Sequence, residues 1–313
     1  MDEFICPDEL GNQFPLLLQK NLAAIETAFN LDISLRGNKI MYSGSAPQAK
    51  KFKKYLLHLS RLAAGNNGLR NHDVLFSLNL VLDGKIDELP EKSLTNNGIR
   101  VDGKEVFAKT SNQQAYVQAL REKNLIFGIG PAGTGKTFLA IAMALNSLIN
   151  KKVERIVLTR PVVEAGEKLG FLPGDIQQKI NPYLRPLYDA LYFLIGFERT
   201  AELIEKGIIE IAPLAYMRGR TINDAFIILD EGQNTVNSQM KMFLTRFGLN
   251  SRVAITADIT QIDLSEPKKS GIFKAIEILK NVPEIAVIRL TNKDVVRHPL
   301  IQKIIEAYAR AEK

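Results

Sequence analysis

Gly130, Gly135, Lys136 and Thr137 stand at the fixed positions of G-x-x-x-x-G-K-[ST], inside the stretch LIFGIGPAGTGKT at 125–137. These residue types at this spacing cradle the phosphates of a nucleotide. Gly130, Gly133 and Gly135 let the backbone curl until successive N–H groups point into one concavity. A helix starting near Lys136 adds the positive end of its dipole to the same point. The expected nucleotide-binding stretch is therefore Gly130, Pro131, Ala132, Gly133, Thr134, Gly135, Lys136 and Thr137, with Phe138 opening the helix. Lys136 is expected to reach the β- and γ-phosphates, and the Thr137 hydroxyl to ligate Mg2+.

The remaining polar candidates close apolar runs. FIILD, 226–230, ends in Asp230 and is followed by Glu231. Asp230 is expected to hold Mg2+ through its water shell, and Glu231 to orient or deprotonate the attacking water. RVAITA, 252–257, runs into Asp258 and then Gln261. Gln261 there can report the γ-phosphate; a helix cap and turn is the plainer role for the same pair. Gln113 and Gln114 precede the first strand of this set, where a glutamine amide can bond both edges of adenine and select ATP over GTP. Two GTPase signatures fail. Asn292-Lys293-Asp294 has Val295 where N-K-x-D needs its Asp, and in Asp230-Glu231-Gly232 the glycine of D-x-x-G comes one place early. A kinase is disfavoured because Glu231 activates water, which a kinase must exclude.

Such residues need a scaffold that brings strand ends together. From residue 111 onward, apolar runs of strand length alternate with helical patterns, which predicts an α/β domain with a parallel sheet covered by helices on both faces. Strands are expected at 125–129, 153–159, 208–212, 226–230, 252–257 and 285–290. Helices are expected at 112–122, 136–150, within 175–206, and at 237–247, 269–280 and 297–311. Ligands bind such sheets beyond the carboxyl ends of the strands, where these polar residues fall. Residues 159–186 read as a long Gly/Pro-punctuated excursion. Arg160, Lys168, Lys179 and Arg185 make it basic, and Phe171 and Tyr183 could stack on bases; polynucleotide contact and subunit contact are both open.

Residues 1–82 read as a small α/β module. A helix is expected over 16–29, a hairpin from 31–36 and 39–43 about Gly37-Asn38, a helix over 46–64 and another over 73–82. Lys50, Lys51, Lys53 and Lys54 lie off the apolar stripe of the 46–64 helix. They suit either phosphate-backbone contact or a solvated face. Gly65-Asn66-Asn67-Gly68 matches the G-x-x-G of KH domains, a weak pattern that an ordinary interhelical loop explains better. Residues 83–110 read as a linker, with a hairpin inside it, outside both cores. The nucleotide domain is expected at 111–313.

The 313 residues carry 41 Lys+Arg against 34 Asp+Glu, a formal charge of +7, which favours a polyanionic partner. The acidic, apolar-poor N-terminus argues against a signal peptide. With one cysteine and three histidines, neither an internal disulfide nor a ligand-spaced metal cluster is expected, which fits a reducing cytoplasm. No apolar run reaches the length of a membrane span.

With these segments located, the chain resembles the PhoH family. The matching stretches are FGIGPAGTGKT (127–137), LTRPVVEAGEKLGFLPGD (158–175), YMRGRTINDAFIILDEGQN (216–234), TADITQID (256–263) and VVRHPLIQKIIEAY (295–308). The resemblance implies a RecA-like P-loop ATPase with a motif order similar to the first domain of superfamily 1 helicases. It implies that Gln113 reads adenine, that Asp230 and Glu231 are the Mg2+ and water-activating acids, and that Gln261 meets the γ-phosphate. It also implies a role in RNA metabolism, with an rRNA-processing endoribonuclease as a possible partner. Gly232 departs from the alanine of many relatives, which is expected to loosen the backbone beside Glu231. Superfamily 1 helicases complete the site with an arginine from a second RecA-like domain. Here that arginine is expected in trans, Arg297 first and Arg220 second, within a homo-oligomer, a hexamer by expectation. Two functions follow: an Mg2+-dependent ATPase that binds, moves or remodels RNA, or an ATP-switched adaptor for a partner nuclease.

Overall fold

A computed structural model describes residues 2–7, 13–64, 69–82, 84, 98–162 and 176–295, with side chains undescribed at 13, 72 and 176–181. The chain forms two compact units, Met1–Gly98 with Phe107–Ser111, and Ile99–Val106 with Asn112–Lys313. The G-x-x-G stretch at 65–68, Lys168, Phe171, Arg297 and the helix expected at 297–311 lie outside the described residues.

In the first unit β1 (Asp2–Ile5), α1 (Gln13–Lys20), α2 (Leu22–Phe29), β2 (Asp32–Arg36), β3 (Lys39–Ser43), α3 (Ala46–Ala64) and α4 (Asn71–Leu82) follow in order. The three strands are antiparallel in the order β1-β3-β2. Strand β1 was not expected: only Phe4 of its four residues is buried, too short an alternation to register as a strand. The helix expected over 16–29 is two helices. Asn21 breaks it by giving its side-chain Nδ2 to the Leu17 carbonyl at 2.8 Å, in competition with the helical ladder. Asn30 ends α2 in the left-handed region at φ 50, as Asn tolerates.

Phe29, Tyr42, Phe52 and Tyr55 form the aromatic centre, with ring centroids 5.0–5.3 Å apart for Tyr42–Phe52, Phe29–Phe52 and Phe29–Tyr55. Beside it His58 Nε2 lies 3.1 Å from Ser77 Oγ, both buried. Burial pushes the His58 pKa down to about 4, Asp73 opposing and Arg61 adding to the shift. Unfolded, His58 binds its proton near the ordinary 6.5. Between these values the unfolded chain holds more protons, so stability falls as pH is lowered from 6.5 towards 4, by at most about 3 kcal/mol. Protection factors of α3 and α4 amides, taken against the intrinsic exchange rate at each pH, are expected to fall over that window in wild type and less in His58→Gln. An equal fall in both would exclude His58 as the cause.

The second unit opens with a hairpin, β4 (Ile99–Val101) and β5 (Lys104–Val106), turning through Asp102 and Gly103 at φ 44 and 77, the Asp-Gly signature of a tight hairpin. For residues 99–106 this corrects the reading of 83–110 as lying outside both cores. Ile99 and Val101 are buried, and Asn146 Nδ2 donates to the Arg100 carbonyl at 2.9 Å. The alternation was visible; that α6 would cover it was not.

Then come α5 (Ser111–Glu122), β6 (Leu125–Ile129), α6 (Lys136–Ile149), β7 (Arg155–Arg160), α7 (Ile176–Ile195), α8 (Phe197–Glu205), β8 (Ile209–Pro213), β9 (Ala225–Leu229), α9 (Asn237–Leu244), β10 (Arg252–Ala257), α10 (Gly271–Leu279) and β11 (Ile285–Arg289). All six strands are parallel, in the order β11-β6-β10-β9-β7-β8. Helices α9 and α10 pack on the face bearing Phe127, Ile227 and Ile255, and α6 and α7 on the other. This is the RecA-like arrangement, in which β10 separates the loop strand β6 from the acid strand β9. Register aligns Ile129 with Ala257 and Leu229 with Ile255, so the loop, the acids and Asp258 emerge at one edge.

Helix α7 corrects the expectation that the excursion runs to 186. It starts at Ile176 and contains Pro182 and Pro186. Each interior proline costs about 3 kcal/mol, but Leu184, Leu187, Leu191 and Leu194 are all buried. At roughly 1.5–3 kcal/mol each, their burial outweighs the propensity.

Candidate active site

The loop between β6 and α6 is shaped by close approach. A Cβ on Gly130 would lie 2.7 Å from the Leu290 carbonyl oxygen, so the residue that follows β11 packs too near for any side chain. Gly133 and Gly135 take φ 83 and 80, the region open mainly to glycine. Thr134 Oγ1 donates to the Pro131 carbonyl at 2.9 Å and closes the curl.

Lys136 is buried at the base of the loop. Its Nζ donates to the carbonyls of Gly130 (2.6 Å) and Pro131 (2.8 Å). Burial lowers its pKa, while Asp258, Glu231 and Asp230, in that order, favour the ammonium. Carboxylates from two strand ends therefore favour the charged form of one lysine.

Asp230 sits where loop and strands meet. Its Oδ1 accepts from Thr137 Oγ1 and from Thr256 Oγ1, each at 2.6 Å. Thr256 lies in β10, the strand between the other two. Among the described residues no group of three or more His, Cys, Asp or Glu could hold a metal. A hydroxyl beside a carboxylate instead suits Mg2+, which takes one or two protein oxygens and completes its shell with water and phosphate. Thr137 and Asp230 fit that ion.

Glu231 has left-handed backbone, φ 54 and ψ 41, sparsely populated for a residue with a side chain and characteristic of functional turns. Its Oε1 lies 3.4 Å from Arg160 Nη2, and its Oε2 accepts from Gln233 Nε2. Burial raises its pKa and Asp230 adds to this; the Gln233 bond, Arg160 and Lys136 oppose. Arg160 also donates through Nη1 to the Tyr183 carbonyl in α7 at 3.0 Å. Gln233, fully buried, ties three things together. Its Nε2 also reaches the Gln261 carbonyl at 3.0 Å, and its Oε1 accepts from the Asp258 N–H at 2.9 Å.

Of the sequence candidates, the loop, Lys136, Thr137, Asp230 and Glu231 come together at this edge. Gln261 is joined to them by its backbone and has an exposed side chain. Gln113 is buried, its Nε2 donating to the carbonyls of Thr134 (3.1 Å) and Asp294 (3.3 Å). Reading adenine requires that amide to turn from the loop backbone to the base. Arg220 forms a two-point ion pair with Glu210, at 2.5 and 2.7 Å, so this second finger candidate is engaged within its own chain. Asp294 is a buried cap that accepts from Asn112 Nδ2 at 2.9 Å and from the Thr291 N–H at 2.6 Å, which explains the guanine-like decoy. Gly232 is packed rather than loose: a Cβ there would meet Ile255 Cγ2 at 2.7 Å.

Gln233, Thr256 and the pairing of Arg160 with Glu231 were not foreseen. Thr256 carried a signal, as a hydroxyl inside an apolar strand. Gln233 carried only its nearness to the acids. Nothing local in the sequence joins Arg160 to Glu231.

Comparison with known proteins identifies the family. Residues 105–309 match the family of PhoH-like proteins. The chain belongs to the PhoH family. A PhoH-like protein of Bacillus subtilis is 47% identical over 311 residues, covering 96% of this chain and 94% of that one. One from Mycobacterium bovis is 48% identical over 293 residues, covering 94% and 83%. Among solved structures, the Sulfolobus solfataricus SWI2/SNF2 ATPase core in complex with dsDNA aligns at TM-score 0.36 and 16% identity over 57% of this chain and 43% of that one. That likeness is too partial to carry weight. PhoH membership and the phosphate loop make the chain a P-loop NTPase. No described helix is long and apolar enough to cross a membrane.

Proposed function

We propose that this PhoH protein hydrolyses ATP with Mg2+ and couples hydrolysis to RNA. The observation that carries the hydrolytic reading is the convergence of Lys136, Asp230 and Glu231 at one sheet edge, with Thr137 and Asp230 in contact. Mg2+, when bound, neutralises charge developing on the transferred phosphoryl group. The chain's own residues do the rest. Loop N–H groups orient the phosphates, Lys136 leaves its loop carbonyls for the β- and γ-phosphates, and Glu231 accepts the proton of the attacking water. Gln113 is proposed to read adenine. Gln261 is proposed to sense the γ-phosphate, and Gln233 links its backbone to the Glu231 carboxylate.

The RNA assignment is supported by the charge of +7 and the helicase-like motif order. Steady-state ATPase activity with and without RNA, in wild type and Glu231→Gln, is the test. Several-fold stimulation abolished in the variant supports coupling. Slow, RNA-independent turnover with tight RNA binding supports the alternative, an ATP-switched adaptor for an endoribonuclease. No turnover under any condition overturns both.

Arg160 is proposed to hold the base. Arg160→Gln is expected to lower kcat about tenfold, the scale of one charge-assisted hydrogen bond, with KM for ATP unchanged. Arg160→Lys should recover part of the loss. A raised KM at full kcat would instead make Arg160 a nucleotide contact.

A homo-oligomer, a hexamer in this reading, is proposed because Arg160 and Arg220 are both engaged within the chain. Arg297 is the proposed trans finger, worth roughly 10^3–10^5 in rate. Mixing Lys136→Ala with Arg297→Ala subunits should restore activity that neither has alone; a mixture as inert as its components argues against the trans site. A cytoplasmic location is proposed on the single cysteine, Cys6.

A further inference from the structure

Helix α3 of the first unit is 19 residues long and carries Lys50, Lys51, Lys53, Lys54 and Arg61 without one Asp or Glu. Its apolar side, including Phe52, Tyr55, Leu56, Leu59 and Leu62, is buried in the unit's core. At 100° per residue, Lys53, Leu57, Lys50, Arg61 and Lys54 fall within about 100° of arc, opposite that buried side. All five are exposed. The outer face of α3 is thus wholly basic around one leucine, over about 16 Å from Lys50 to Arg61.

We propose that this face binds the phosphate backbone of single-stranded RNA. The proposal rests on the RNA part of the functional reading and names the surface that RNA would touch. Three physical arguments select this partner. A helix that lies on a lipid surface inserts its apolar side, and that of α3 is committed to the protein core. Protein interfaces deplete lysine and centre on apolar or aromatic anchors, and this face has only Leu57. A row of like charges on a rigid helix matches a polymer of regularly spaced phosphates, which lysines neutralise with release of counterions. Packing of α3 on the core also means that the backbone carrying the basic row needs no ordering when it binds.

The test uses the full chain and fluorescein-labelled oligouridylate, with affinity measured by anisotropy at several salt concentrations. Replacing Lys50, Lys53 and Lys54 together with Gln is expected to weaken binding about tenfold or more at low salt. It should flatten the slope of log affinity against log salt by about two, near 0.7 for each single-strand phosphate that is no longer neutralised. The same three positions changed to Arg should retain wild-type affinity and slope. Neutralising exposed Lys151, Lys152 and Lys280 of the second unit controls for net charge and should change both less. Wild-type RNA binding with an unchanged slope in the Gln variant overturns the α3 surface and leaves the RNA reading standing. No RNA binding by wild type overturns both, while basal ATPase activity, measured in parallel, reports on the nucleotide site alone.

Discussion

Glu231→Gln is expected to lower kcat for ATP hydrolysis by about 10^2–10^4-fold while leaving nucleotide affinity within about twofold. The substitution is nearly isosteric and keeps an oxygen to accept from Gln233 Nε2, so the turn at φ 54 has no new reason to collapse. It removes the negative charge beside Arg160 and the basicity needed to take a proton from water. Lys136, which the Glu231 charge helps keep protonated, retains Asp258 and Asp230, and the phosphate cradle is built from other residues. Rapid-quench turnover beside equilibrium binding of a fluorescent ATP analogue separates the two effects. Near wild-type kcat in the variant would remove Glu231 as the base; abolished binding would make it a structural element of the cradle.

Asp230→Asn should act differently. The amide oxygen can still accept from Thr137 and Thr256, whose hydroxyls now donate to Oδ1 at 2.6 Å, so the meeting of α6, β9 and β10 survives. What goes is the carboxylate charge proposed to face the divalent ion, with several kcal/mol of transition-state stabilisation. That corresponds to a kcat loss of about 10^2-fold or more and a much higher Mg2+ requirement. Asp230→Ala, by contrast, leaves two threonine hydroxyls without their acceptor, at roughly 1–3 kcal/mol for each that stays unsatisfied. Thermal unfolding with Mg2+ titration of turnover distinguishes them: Asn is expected to melt near wild type and Ala lower. An Asn variant with unchanged Mg2+ dependence would remove Asp230 from the ion's site.

The legible parts of the fold share one property, in that their signals are local. Strands β6, β9 and β10 are short apolar runs, β6 closed by the glycine loop and β9 and β10 by carboxylates, and each lies within a residue of its expected position. The hairpin at 99–106 and helix α7 were misjudged for the opposite reason. Alternation and proline content are local, but what covers Ile99 and Val101, and what buries Leu187 and Leu191, is decided by distant segments. Strand β1 is the extreme case, four residues made a strand by pairing with β3.

For the site, residue types and spacing by themselves determined the phosphate loop and pointed to the acid pair beside it, because phosphate binding demands glycines and a lysine at fixed intervals. Only the tertiary structure decided which groups meet. Inserting β10 between β6 and β9 places Thr256 on Asp230, and adjacent β7 brings Arg160 to Glu231. The segment after β11 makes Gly130 a steric necessity through Leu290 and holds Gln113 beside the loop through Asp294. Hydrogen bonds at this end of the sheet join residues up to 182 positions apart in the chain, and strand order, which no local pattern encodes, is what brings them within reach.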